Sequence, residues 1–274
     1  MAWYIDLGAN WANTLGLFQH VKLQTRWNVV AFEASPLVQP FLRDYCEYMN
    51  GERADEPDNC LPRSGSTTHL LKYAPRYNCP TFSASAGRSC MWKCLSKHLA
   101  ALSPDPSLNS SVYVERTLRE AIVPPSTNNK YHMVPAAASD ADGWLDIYES
   151  PQQLIRGGAL PMSSVHLKKK HVLSVDVAQW LLKLPQDAYV FLKIDIEGAE
   201  HRLLKRMEEL GSHRRVSRIS IECHGPCAQT MRRIRSWNVT LMTENMHGGM
   251  DKRSREHAAR PLNPNCTVTC ERNQ

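Results

Sequence analysis

The stretch Tyr189-Val190-Phe191-Leu192-Lys193-Ile194-Asp195-Ile196-Glu197-Gly198-Ala199-Glu200 decides how the fold is read. Its first six residues form a near-continuous apolar run, the pattern of a central strand covered on both faces. From Glu200 to Leu210 the period changes, and Leu203, Leu204, Met207 and Leu210 share one helical face. Downstream, Arg218-Ile219-Ser220-Ile221-Glu222 reads as the next strand and Val239-Thr240-Leu241-Met242 as another. Upstream, Val172 to Val175 leads into a short helix, Asp176-Val177-Ala178-Gln179-Trp180-Leu181-Leu182, with an aspartate at its start. Regular structure is also expected at His132–Ala138 and Trp144–Tyr148. The chain opens on strand (Trp3 to Leu7), turn (Gly8-Ala9-Asn10), helix (Trp11 to Leu23) and strand (Asn28 to Phe32, closing at Glu33). Ser35-Pro36 then starts a second helix carrying Leu37, Val38, Phe41 and Leu42. Strands alternating with helices predict an α/β fold with a mostly parallel central sheet and helices on both faces.

The 274 residues can bury a full core, and 42% hydrophobic with 22% charged residues is ordinary for a globular chain. No apolar run approaches the roughly 18–20 residues of a membrane span. The first residues lack the zones of a signal peptide, and a strand-like run begins almost at Met1, as in a fragment whose leader has been lost. The net charge of +6 is spread over Lys168-Lys169-Lys170, Arg214-Arg215, Arg232-Arg233 and Lys252-Arg253. Aromatic residues do not interleave with these groups, so they read as solvated faces and nucleic acid is not expected as a partner.

From about residue 46 to 130 the pattern breaks down into Pro, Ser, Asn and Cys, with periodicity only around Met91–Leu102. That reads as a Cys-rich insertion after the second helix, within a domain of residues 1–250 followed by an irregular tail at 251–274. Lengthening a loop costs only about 0.6 kcal/mol per doubling, and a disulfide across a modest loop returns roughly 3 kcal/mol. Cys46, Cys60, Cys79, Cys90 and Cys94 fall in or beside this segment. Three cysteine pairs share one spacing: Cys90/Cys94, Cys223/Cys227 and Cys266/Cys270. Zinc favours C-x2-C, so disulfides are expected instead and no metal site is assigned to the cysteines. With sequons at Asn109, Asn238 and Asn265, the count favours a secretory lumen or secretion over the cytoplasm.

In an open α/β sheet, ligands lie at the carboxyl ends of the strands. Asp6, Glu33, Asp140, Asp195 with Glu197, and Glu222 with His224 all fall at such ends. Gly8 does not open a G-x-G-x-x-G turn, because Asn10 and Asn13 occupy the later glycine places. The turn therefore suits a nucleoside with an amino-acid tail better than a pyrophosphate, and a nicotinamide enzyme is disfavoured. Asp6 can accept hydrogen bonds from an ammonium, and Glu33 can hold two ribose hydroxyls. Lys193 and Asp195 share the mouth of a buried strand, where Asp195 could take a hydroxyl proton or bind a divalent ion that acidifies the hydroxyl. Glu200 is read as favouring a helix N-terminus.

The order of these segments resembles the FkbM family of methyltransferases. The resemblance runs through Tyr4–Asn10, Val30–Pro36, Pro135–Tyr148 (with Ala137-Ala138-Ser139-Asp140 and Gly143), Val172–Leu182, Phe191–Leu204 and Ile221–Gly225. Lys193-Ile194-Asp195-Ile196-Glu197-Gly198-Ala199-Glu200 is its most specific element. What it implies is a Rossmann-like class I methyltransferase core using S-adenosyl-L-methionine, most often for O-methylation of sugars and natural products. By position, Asp6, Gly8 and Asn10 would border the methionine part of the cofactor, Glu33 would hold the ribose, and Ser139 and Asp140 would lie near the adenine. Lys193, Asp195, Glu197 and His224 would face a hydroxyl-bearing acceptor, with carbohydrate as the expected class. The chain departs from the family at Ala12, where a second glycine is usual, and in the long insertion. The alternative is a non-catalytic module of the same fold that binds through that insertion.

Overall fold

In a computed structural model, the chain is described for residues 1–9, 15, 26–53, 106–126, 128–149, 168–224 and 227–243. The expected helix at Trp11–Leu23 (apart from Leu15), Asn10, Ala12, most of the Cys-rich segment and the tail lie outside those residues. Six strands form one parallel sheet: β1 (Ala2–Leu7), β2 (Trp27–Phe32), β3 (Lys130–Val134), β7 (Tyr189–Ile194), β8 (Arg218–Ile221) and β9 (Thr240–Thr243). Their order is β3-β2-β1-β7-β8-β9, so the chain winds outward one way from β1, then returns to β1's other side. The crevice between the carboxyl ends of β1 and β7 is thus the topological switch point.

The apolar runs fill both faces. Trp3, Ile5, Leu7, Val30, Phe32, Leu192 and Ile194 point into one core, where α2 (Ser111–Ala121), α3 (Val177–Leu181), α4 (Glu200–Leu210) and α5 (Cys227–Arg235) bury Val114, Leu181, Leu203 and Ile234. Ala2, Tyr4, Val29, Ala31 and Phe191 point to the opposite core, covered by Leu42, Tyr45 and Cys46 of α1 (Gln39–Met49). Strand alternation explains the split, since successive side chains take opposite faces and both faces are dry. The sheet is Rossmann-like as expected, and it is wholly parallel.

A second, smaller sheet was not foreseen. β4 (Ala137–Ser139) runs parallel to β6 (Lys168–Asp176), and β5 (Gly143–Glu149) pairs with β6 antiparallel. Asp176 caps α3 as expected, accepting the Gln179 amide at 3.0 Å, and also receives Arg206 of α4 at 2.9 Å. Ser35-Pro36 forms a hydrogen-bonded turn, so helix proper starts later, at Gln39.

Both ends of the segment read as an insertion belong to the core. Cys46 lies in α1 as a buried free thiol, whose pKa burial pushes up. Ser111–Ala121 is a helix that the Pro- and Ser-rich surroundings concealed. Its carboxyl end is tied to the sheet by side chains. The Trp3 indole donates to the Ala121 carbonyl at 2.8 Å, and the Asn28 amide donates to Ala121 and Val123 at 3.1 and 2.7 Å. These bonds satisfy carbonyls that a helix end leaves open. At the edge of the large sheet, Asn50 imitates a strand. Its side chain accepts from the Tyr131 amide at 2.8 Å and donates to the Tyr131 carbonyl at 2.9 Å.

His132 of β3 sits beside Asn28, its Nε2 3.3 Å from Oδ1. Burial, helped by Lys130, pulls its pKa down from 6.5 to about 4. Unfolding restores the ordinary value, so the unfolded chain takes up the proton first as pH falls. Stability is therefore full above about pH 6.5 and declines toward pH 4, by about 3 kcal/mol from this residue alone. Urea unfolding of the wild type and His132→Gln across that window checks this. The variant is expected to show the flatter slope, and equal slopes would contradict the assignment.

Candidate active site

Hydrogen bonding continues past the strand ends and sets the site residues in register. The Gly8 and Ala9 amides both donate to the Phe32 carbonyl, at 3.1 and 2.9 Å. The Asp195 amide donates to Leu7 and the Glu222 amide to Ile194, each at 2.9 Å. The loops after β1, β7 and β8 are thus each bonded to the last residue of the neighbouring strand, β2, β1 and β7 respectively. The approach is closest at Gly8, whose φ is +81° and where a Cβ would fall 1.8 Å from the Asp195 carbonyl oxygen. Only glycine fits there, for both reasons.

Lys193 ties the β1 and β7 loops together. Its Nζ lies 3.1 Å from Asp6 on the adjacent, in-register position of β1. The same ammonium donates to the Gly8 carbonyl at 3.0 Å and to Asp195 at 3.4 Å. Asp6 is fully buried and Lys193 nearly so, whereas the Asp195 side chain is about a quarter exposed. Asp6 and Lys193 therefore form the floor of the crevice, and Asp195 faces into it.

Beyond Asp195 the chain turns sharply. Glu197 has φ +52° and Gly198 φ +102°, and left-handed backbone is uncommon for a residue with a side chain. Glu200, completely buried at the start of α4, accepts the Ile196 amide at 3.2 Å and the Gly198 amide at 2.9 Å. It also meets His224 Nδ1 at 2.9 Å, so that nitrogen carries the hydrogen and Nε2 is left facing Glu197 at 3.5 Å and Glu222 at 3.9 Å. Burial works against a charged His224, yet the Glu200 hydrogen bond and the charges of Glu197, Glu200 and Asp195 outweigh it and hold the pKa above the ordinary value. Burial, then Asp195, pushes the Glu222 carboxyl upward. A disulfide joins Cys223 to Cys227, closing a short loop around His224 as β8 gives way to α5.

The remaining expected residues lie at the ends of other strands. Glu33, mostly buried at the end of β2, accepts the Ser35 amide at 2.7 Å. Ser139 donates to Asp140 at 3.1 Å at the end of β4, and Asp140 lies 4.0 Å from Arg202 in the first turn of α4. Asn10 lies outside the described residues. Sequence reasoning gave Glu200 only a helix-end role and gave Glu222 none beyond its place at a strand end. The helix-end role is there, since Glu200 binds amides preceding α4. Its bond to His224 joins residues 24 positions apart, and no local pattern announces that.

Such an arrangement, with acids and an imidazole at the switch point of a parallel sheet, belongs to the class of Rossmann-like enzymes that bind a ligand across that crevice. The profile of the Methyltransferase FkbM domain matches residues 6–238, nearly the whole chain. The chain belongs to the FkbM methyltransferase family. No curated protein and no solved structure matches it.

Gly8→Ala tests the close approach. Left-handed alanine alone costs roughly 1–2 kcal/mol, and the Asp195 carbonyl must also move. Thermal and urea unfolding are expected to show a loss of at least about 2 kcal/mol by the same reasoning; an unchanged midpoint would show that the two loops are not in contact.

Proposed function

We propose that the chain transfers a methyl group from S-adenosyl-L-methionine to a hydroxyl of a carbohydrate or similar polyol. The observation that carries this reading is the convergence of Asp195, Glu197 and His224 over the switch point, with Gly8 packed against Asp195. The charge of the crevice fits that donor. Among the described residues its one lysine, Lys193, is already engaged by Asp6 and Asp195. A polyphosphate would meet mostly carboxylates there, whereas a sulfonium and an ammonium are tolerated.

Glu33 would hold the ribose hydroxyls, Ser139 and Asp140 would border the adenine, and Gly8 and Asn10 the methionine part. Asp6 and Lys193 act one layer below, keeping Asp195 and the Gly8 carbonyl in place. The sulfonium supplies an activated methyl group, so the protein's work is to align the acceptor oxygen and manage one proton. Asp195, Glu197 and His224 are the groups that would hold and deprotonate the acceptor hydroxyl. Carboxylates and an imidazole also suit a sugar, because each accepts hydrogen bonds from hydroxyls.

An oxidising compartment is part of the proposal. The Cys223–Cys227 disulfide supports it, as do the exposed sequon residues Asn109 and Asn238. No helix among the described residues is long and apolar enough to cross a membrane.

Calorimetry with S-adenosylhomocysteine and transfer assays on a panel of sugars test the assignment. Asp195→Ala is expected to abolish transfer while leaving the affinity for S-adenosylhomocysteine within about threefold, since Asp195 faces the acceptor. Glu33→Ala is expected to weaken that affinity by about tenfold or more, the worth of a charge-assisted hydrogen bond. Wild-type behaviour in both variants would sink the site assignment, and no heat with the wild type would sink the cofactor.

A further inference from the structure

We propose that Asp195, Glu197 and His224 form a binding site for a divalent cation of the Mn²⁺ type. One donor atom from each residue lies within 4.8 Å of the other two. Two metal–ligand bonds of roughly 2.0–2.6 Å span such a separation. The donors come from two loops, after β7 and after β8, which the Glu222–Ile194 backbone bond holds side by side.

The set is not a plain acidic patch, because its third member is an imidazole whose orientation is imposed from outside the set. Glu200, buried and held by two backbone amides, takes Nδ1 of His224 and leaves Nε2 toward Glu197. A histidine that ligates a metal commonly passes its other ring hydrogen to a carboxylate in this way, which fixes the tautomer and raises ligand basicity. The Cys223–Cys227 bridge further confines His224.

Charge points the same way. Asp6, Asp195, Glu197, Glu200 and Glu222 gather around Lys193 and His224. Two carboxylate oxygens with one nitrogen suit Mn²⁺, which accepts oxygen donors as Mg²⁺ does and also takes imidazole. Three protein ligands leave coordination positions open, and a hydroxyl placed there is acidified by the ion. That catalytic use rests on the methyl-transfer reading; the binding site does not.

The test titrates MnCl₂ into the purified full chain after chelator treatment, reading free Mn²⁺ by electron paramagnetic resonance. One Mn²⁺ is expected per chain, with affinity reduced at least tenfold in both Glu197→Gln and His224→Asn. Melting curves and S-adenosylhomocysteine binding run beside it. If His224→Asn unfolds, Glu197→Gln decides, because its side chain is partly exposed and the change removes only charge. Absence of Mn²⁺ binding, or binding that survives Glu197→Gln unchanged, overturns the site. Mn²⁺ binding without S-adenosylhomocysteine binding keeps the site and removes the methyl-transfer reading.

Discussion

The buried ammonium of Lys193 is the constraint on which the rest of the site depends. A charge taken out of water at the centre of a sheet is tolerated only when opposite charge and hydrogen-bond acceptors surround it. Here Asp6, the Gly8 carbonyl and Asp195 do so at once, and they belong to strand β1 and to the loops after β1 and β7. The ion cluster therefore fixes the distance between the β1 and β7 loops. Everything above it inherits that spacing: the close approach of Gly8 to Asp195, the turn through Glu197 and the position of His224. Removing one partner would leave a buried charge uncompensated, so these residues act as a unit.

A second layer of order comes from Glu200. One carboxylate gathers the amides of the turn and the imidazole of the neighbouring strand's loop, joining β7, α4 and β8 at a single point. The switch point of a parallel sheet is thus secured twice, by a cation beneath the crevice and by an anion at its side. Membership of the FkbM methyltransferase family is consistent with a crevice built in this way, in which alignment and proton management are what the protein itself contributes.

The central sheet was legible because its strands are short apolar runs buried on both faces. Trp3–Leu7, Asn28–Phe32 and Tyr189–Ile194 carry that signal without ambiguity, and the stripe of Leu203, Leu204 and Met207 carries α4. α2 was hidden because its buried positions are Val114, Thr117 and Ala121, too small and too polar a stripe to stand out among arginines and glutamates. The small sheet was half visible, as two strand-like runs whose antiparallel pairing joins residues from Gly143 with Ser174 to Glu149 with Lys168, far beyond any local pattern. In the site, Asp195, Glu197, His224 and Lys193 could be named from strand ends. The separation of floor from mouth could not, since burial of Asp6 and Lys193 is a property of the assembled sheet. The bond between Glu200 and His224 was beyond sequence for the same reason.

Asn50 has a meaning for how copies of this chain meet. Among the described residues β3 lies at one margin of the large sheet, and a strand margin left unpaired is a template on which a foreign strand can form. By offering an amide group in place of a peptide, Asn50 occupies the hydrogen-bonding positions of Tyr131 with a partner that cannot be extended into a strand. A single side chain thus interrupts that template at its second residue and works against edge-to-edge association along β3, at the expense of no backbone pairing of its own.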